Sequence, residues 1–155
     1  ISHYFYVKRT KEHYLHTQVE EGDIQLEDYC SSDLGGELQN WYVTHFTGLS
    51  VVEAENNPKE SVELAFRVIT NKYHLIGFQD EIPAFMNELT RLKITKLQTP
   101  FKNEIKNKTN QRLLVKDLHQ NTIDKITQSN SLDVELYKKL VKLRHSGVIK
   151  SKELS

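Results

Sequence analysis

Residues 57–78 read Asn-Pro-Lys-Glu-Ser-Val-Glu-Leu-Ala-Phe-Arg-Val-Ile-Thr-Asn-Lys-Tyr-His-Leu-Ile-Gly-Phe and hold the clearest structural signals in the chain. Asn57 is a typical N-cap and Pro58 suits the first position of a helix, so a helix is predicted from here to about Tyr73. Its apolar residues form one stripe along that helix. The next five residues, 74–78, are a short apolar run and the best strand candidate in the chain.

The remaining segments read mostly as helices. Helices are predicted at 1–11, 25–31, 37–46, from Asp80 to about Leu92, and at 116–129 and 132–145. In the helix at 37–46, the residues spaced to face inward are Leu38, Trp41, Tyr42 and His45. The polar segments 13–23 and 93–115 are predicted loops, and 146–155 is a predicted tail.

Composition sets broad limits on function. The chain has 155 residues, which suits one domain, and Lys plus Arg equals Asp plus Glu at 21 each. No net charge therefore attracts nucleic acid or anionic lipid. A single cysteine, Cys30, excludes an internal disulfide, which favours a reducing compartment and a cytoplasmic location. No apolar run approaches the roughly 18 residues that a membrane span needs.

Two observations predict that the chain is part of a larger domain. Residues 1–6, Ile-Ser-His-Tyr-Phe-Tyr, read as the inside of a helix with no cap before it. In addition, the strand candidate at 74–78 needs partners for its backbone groups, and the chain offers no second convincing strand. We therefore expect further strands of a sheet upstream.

The common catalytic motifs are missing from the sequence. It contains no Gly-rich phosphate loop, no His-Glu-x-x-His, no Cys-x-x-Cys and no Gly-x-Ser-x-Gly. His13 and His16 are three residues apart, but no acidic residue or cysteine stands at a convincing partner spacing. A solvated loop is favoured there over a metal site, no metal is predicted, and the catalytic residues stay unknown.

Two segments carry groups that hold phosphate in other proteins. Ser2 stands near Lys8 and Arg9, and a hydroxyl with cations can bind an anion through charge-assisted hydrogen bonds. The alternative is a frayed helix end with basic residues facing water. Residues 102–112 collect basic side chains and a threonine in one predicted loop, which also suits a phosphate. Its alternative is a solubilising loop.

Taken together, these segments resemble sulfotransferases, especially bacterial members related to the heparan-sulfate 2-O-sulfotransferase group. Residues 1–16 resemble the segment after the family's Arg-Asp-Pro-x-x-Arg-x-x-Ser motif, and residues 37–48 resemble its Asn-x-x-x-Arg-x-Leu-x-Gly helix. Residues 74–89 are similar to a strand-to-helix element of the family. Residues 107–112 and 130–137 resemble its C-terminal loop and helix. The likeness covers nearly the whole chain in the right order.

The resemblance implies a P-loop-like α/β fold, of which residues 1–155 form the mostly helical C-terminal portion with few strands. It implies transfer of a sulfuryl group from 3′-phosphoadenosine 5′-phosphosulfate (PAPS) to an acceptor hydroxyl, which in this group is carbohydrate. The 3′-phosphate would be bound by Ser2, and the nucleotide covered by Lys108, Thr109 and Arg112. Because the family's phosphosulfate loop is missing from the sequence, we expect this chain to be inactive alone.

A non-catalytic helical module that binds another protein is the alternative function, with the amphipathic helices as its docking surface. Trp41 and its aromatic neighbours also have two interpretations. They line an acceptor groove, since sugar rings stack on aromatic faces, or they pack in the core, and core packing is the favoured interpretation.

Overall fold

A computed structural model describes residues 2–73, 75–92 and 115–145, which form short helices joined by tight connections. The α-helices are α1 (Ser2–Arg9), α2 (His16–Glu21), α3 (Leu26–Ser31), α4 (Trp41–Thr47), α5 (Val51–Asn56), α6 (Pro58–Lys72), α7 (Ile82–Arg91), α8 (Gln120–Ser129) and α9 (Ser131–His145). Three 3-10 turns lie at Asp33–Leu38, Gln79–Glu81 and Val115–Asp117.

The predicted P-loop-like α/β fold is wrong, because the described ranges contain no β-strand. Residues 75–78, predicted as a strand, are a connection between α6 and the turn that precedes α7. Their apolar character serves helix packing: Phe78 is buried in the core. Gly77 is needed beside it, since a Cβ at this position would lie 2.6 Å from the ring of Phe85.

Several helix predictions are confirmed. Helix α6 begins at Pro58 directly after Asn57, and α3 buries Leu26 and Tyr29 as expected. Gly48 ends α4 in the left-handed conformation with φ 75°, which glycine adopts without strain. Local capping and turn signals were therefore sufficient to place these ends.

Other predictions are wrong in ways that matter for the surface. The predicted loop at 13–23 contains α2, which buries Val19. Helix α5 was not predicted at all. Leu38, Trp41 and Tyr42 were predicted to face inward but are exposed. The predicted loop at 93–115 lies outside the described residues except for Val115, which begins the 3-10 turn Val115–Asp117. The predicted tail at 146–155 lies wholly outside them.

Two hydrophobic clusters hold the helices together. The first joins α1, α2 and α3, with half-buried Leu118 and Ile126 against it. Its buried members are Tyr4, Val7, Leu15, Val19, Leu26 and Tyr29. The second joins α4, α5, α6 and α9, and its buried members are Val43, Ala54, Val62, Ala65, Ile69, Phe78, Leu132, Leu136 and Leu140. Removing this apolar area from water is the main stabilising contribution to the fold.

Candidate functional site

The nucleotide site predicted from the sequence falls almost wholly outside the described residues. Ser2 is the first residue of α1, but its side chain is not among the described parts of the structure. The same holds for the whole of Lys108, Thr109 and Arg112. The convergence of Ser2 with the 102–112 loop therefore stays a prediction.

The cations that were expected to assist Ser2 have local partners. Lys8 Nζ lies 3.8 Å from Glu20 Oε2 of α2, in an exposed ion pair. Arg9 donates from Nε to the carbonyl oxygen of Phe5, one turn earlier in α1. Both contacts are ordinary helix-surface interactions, so they lend no support to an anion site.

His13 and His16 also take part in the local fold. The backbone amide of Leu15 donates to His13 Nδ1 at 3.2 Å, and His16 Nδ1 lies 2.9 Å from the carbonyl oxygen of Val7. Within residues 2–73, 75–92 and 115–145, no three His, Cys, Asp or Glu side chains are grouped as metal ligands would be. His16 of α2 thus contacts α1, whereas the bond of His13 lies within the connection between the two helices. The predicted solvated loop is wrong for His16.

An exposed group of aromatic side chains is the most distinctive surface feature. We define the aromatic surface as Trp41, Tyr42, His45 and Phe46 of α4 together with Tyr73 at the end of α6. Trp41, Tyr42 and Tyr73 are 42%, 57% and 51% exposed. Single exposed aromatics are common, but five in contact form a patch, and patches on soluble proteins mark interaction sites.

The rings of the aromatic surface contact one another in a chain. Trp41 stacks on His45 with ring centroids 4.6 Å apart and an angle of 14° between the planes. Tyr42 stacks on Phe46 at 6.5 Å, and Phe46 meets the ring of Tyr73 edge-on at 5.7 Å. Offset stacking and edge-to-face contacts are the favoured geometries of aromatic pairs. The rings therefore support each other while their outer sides face solvent.

The orientation of α4 explains why these rings point outward. Val43 is fully buried in the second cluster and half-buried Phe46 packs against that cluster, so this side of the helix faces the core. Trp41, Tyr42 and His45 then lie on the remaining sides of the seven-residue helix. Core packing, the interpretation favoured from the sequence, is wrong for Trp41.

Two side chains fix the start of α4 by capping two helices reciprocally. Asn40 Oδ1 accepts from the amides of Leu132 and Asp133 at 3.0 and 3.4 Å, at the start of α9. The Asp133 carboxylate accepts from the amides of Tyr42 and Val43 at 3.0 and 2.8 Å, at the start of α4. Each side chain thus satisfies amides that have no partner within their own helix.

This reciprocal cap carries two costs. Asn40 is fully buried and has left-handed backbone angles, φ 49° and ψ 35°, which asparagine tolerates better than most residues. Burial raises the pKa of the Asp133 carboxyl, while the amide hydrogen bonds from Tyr42 and Val43 oppose that shift. The hydrogen bonds gained at both helix starts offset these costs and hold the aromatic surface in place.

Between residues 2 and 145, none of the helices that the structure describes has both the length and the apolar character to cross a bilayer. The chain matches no protein-family model, no curated protein sequence and no solved structure.

Proposed function

We propose that this chain is a helical protein-binding module and that the aromatic surface is its contact site. The proposal rests on the exposure of Trp41 and Tyr42 on a helix whose first amides donate to the Asp133 carboxylate. Tryptophan and tyrosine are enriched among the few residues that dominate binding energy in protein interfaces, because they bury a large area with few rotatable bonds.

The size of the aromatic surface suits a binding anchor. About half of Trp41, Tyr42 and Tyr73 is exposed, and an aromatic side chain buries ~150–250 Å², so covering them removes on the order of 300 Å² from water. At about 25 cal/mol per Å², this corresponds to on the order of 7 kcal/mol before the cost of association. That is enough to anchor an interface, although a complete one would need further contacts around it.

The reciprocal cap lowers the cost of binding. Because Asn40 and Asp133 already fix the first turn of α4, little backbone order has to be gained when a partner docks. The partner chemistry that fits is a protein segment with apolar side chains and an arginine, since a guanidinium group stacks on aromatic faces.

The test uses the tryptophan as its own reporter, because the chain contains only one. Partners recovered on the wild-type chain would be purified and titrated in solution. We expect the Trp41 fluorescence to shift to shorter wavelength as a partner covers the ring. Trp41→Ala should weaken binding, measured calorimetrically, by about thirtyfold, the scale of an interface hot spot.

Tyr14→Ala is the matched control. Tyr14 is the most exposed tyrosine in the described residues at 71%, and it stacks on His13 in the connection between α1 and α2. We expect this variant to bind like the wild type. A purified partner whose affinity is the same for the wild type, Tyr14→Ala and Trp41→Ala would refute the proposal. Binding of an oligosaccharide instead of a protein at the aromatic surface would also contradict it.

Sulfuryl transfer from PAPS to a carbohydrate hydroxyl is the second candidate, supported by the order of the five sequence motifs. It ranks second because the α/β fold that the resemblance implied is wrong. Its test is calorimetric titration of the chain with adenosine 3′,5′-bisphosphate. Binding that Ser2→Ala and Thr109→Ala each weaken by about 1–3 kcal/mol, the cost of an unsatisfied charged partner, would favour the enzyme. Nucleotide binding that neither substitution weakens would count against this candidate.

A further inference from the structure

A second surface feature, separate from the aromatic surface, is a groove between α5 and α6. Its volume is about 390 Å³, which lies within the roughly 300–1,000 Å³ typical of small-molecule pockets. Leu49 and Leu64 give it apolar walls, and Glu53 and Glu60 stand at its edges. The groove therefore combines an apolar wall with carboxylates, which is the chemistry that an organic cation requires.

The carboxylates make the groove anionic. Glu53 Oε2 accepts from the hydroxyl and the backbone amide of Ser50 at 2.7 and 2.8 Å. These hydrogen bonds lower the pKa of the Glu53 carboxyl, so the group stays ionised at neutral pH. Of the described residues that line the groove, none is basic. Anions are therefore repelled from it.

A buried serine lines this groove, and its hydroxyl is independent evidence for a ligand. Ser61 is only 2% exposed and lines the groove. Its backbone amide bonds to the carbonyl of Asn57, but its hydroxyl has no hydrogen-bond partner among the residues that the structure describes. Buried polar groups are nearly always paired, and leaving one unpaired is costly.

Other hydroxyls on the described helices form a bond that Ser61 does not. The hydroxyls of Thr70, Thr90 and Ser129 each donate to the carbonyl oxygen four residues earlier in their own helix. Ser61 has the same option toward Asn57 and does not use it. Its hydroxyl oxygen is therefore available as an acceptor at the wall of an anionic groove.

We propose that the groove between α5 and α6 binds a primary aliphatic ammonium cation. The ammonium group is a donor only, with three hydrogens, and the groove supplies acceptors for it in the Ser61 hydroxyl and the Glu60 carboxylate. The alkyl stem covers Leu49 and Leu64 and removes their exposed area from water.

The test is a titration of the full chain with n-butylammonium chloride, followed by amide chemical shifts in α5 and α6. We expect saturable shifts, and 1-butanol, which has the same stem without the charge, should bind at least about tenfold more weakly. Ser61→Ala and Glu60→Gln should each reduce the affinity about fivefold. Glu63→Gln, the same substitution on the side of α6 that faces α9, is the control and should leave it unchanged.

A second arm replaces n-butylammonium with N-acetyl-lysine amide. Tighter binding of the lysine derivative would identify a lysine side chain as the source of the cation. Tighter binding of n-butylammonium would identify a free amine as the source. The proposal is overturned if neither compound gives saturable shifts, if 1-butanol binds as well as n-butylammonium, or if Glu63→Gln weakens binding as much as Glu60→Gln.

Discussion

Replacing Asn40 by glycine should remove the half of the reciprocal cap that the Asn40 side chain makes, without introducing backbone strain. Glycine adopts φ 49° freely, so the loss comes from the side chain alone. The main term is the 3.0 Å hydrogen bond from the buried amide of Leu132, which would be left without a partner. A lost hydrogen bond of about 1 kcal/mol and an unpaired buried amide of about 1–2 kcal/mol predict a destabilisation of about 2–3 kcal/mol. The contact of Asn40 Nδ2 with exposed Glu55 adds little.

Urea denaturation followed by circular dichroism at 222 nm measures this change. Asn40→Ala should lose about 1 kcal/mol more than Asn40→Gly, because alanine is strained in the left-handed conformation. The control is Asp23→Gly: Asp23 is also left-handed, with φ 44°, but it is exposed, and the only hydrogen bond of its side chain to a described residue comes from nearby Gln25. It should change stability by less than about 0.5 kcal/mol. A similarly small effect of Asn40→Gly would refute the role given to the reciprocal cap.

Three other predictions follow from burial and charge. Burial raises the pKa of Asp133, so the folded state binds the proton of this carboxyl more tightly than the unfolded state does. The free energy of unfolding should therefore fall as pH rises from the ordinary aspartate pKa through the higher pKa of the folded state. Asp133→Asn should abolish this fall in urea titrations at stepped pH. Ser61→Ala should leave thermal stability unchanged or raise it by up to about 1 kcal/mol, since it removes an unpaired buried hydroxyl; a loss above 1 kcal/mol would mean that the hydroxyl is paired. Trp41→Ala should cost less than about 1 kcal/mol in urea, while Tyr29→Ala, only 2% exposed in the unsubstituted chain, should cost about 3 kcal/mol; equal costs would place Trp41 in the core.

Helix positions were predictable from the sequence where the signal was local. Asn57-Pro58 marked the start of α6, and Gly48 marked the end of α4. Helix α5 carried an equally local signal that was missed: Ser50 and Glu53 form a capping box, in which each side chain bonds to the other residue's backbone. The motif Ser50-Val-Val-Glu53, a Ser-x-x-Glu pattern, was readable without the structure.

The fold class was not predictable from the short apolar run. A run of about five apolar residues fits a strand and a buried connection equally well, because periodicity does not separate them at that length. The decision comes from tertiary packing: Phe78 contacts Tyr137 of α9 edge-on, with ring centroids 5.7 Å apart. The two residues are 59 positions apart in the sequence, from 78 to 137. No sequence pattern near residue 78 predicts this contact.

The aromatic surface was not predicted because the wrong side of the helix at 37–46 was assigned to the core. Spacing alone placed Trp41 inside, because it was read together with Leu38 and His45 as one helical stripe. The structure breaks that stripe at Asn40, whose left-handed conformation ends the preceding turn and starts α4 anew. Asp133, on a helix at the other end of the chain, then holds that new start. Neither effect leaves a periodic pattern within a window of about 11–18 residues, the span over which periodicity is read.

Helices α4 and α9 have to come into contact before the amides in the first turn of either helix have all their hydrogen-bond partners. The bond from Val43 to Asp133 spans 90 residues, and closing so long a loop costs entropy before any contact is gained. Contacts of this range slow folding, so α4 should mature late, after the local helices have formed. A shortened chain that ended before α9 would keep every ring of the aromatic surface, yet it would lose the distant carboxylate that gives those rings a fixed direction.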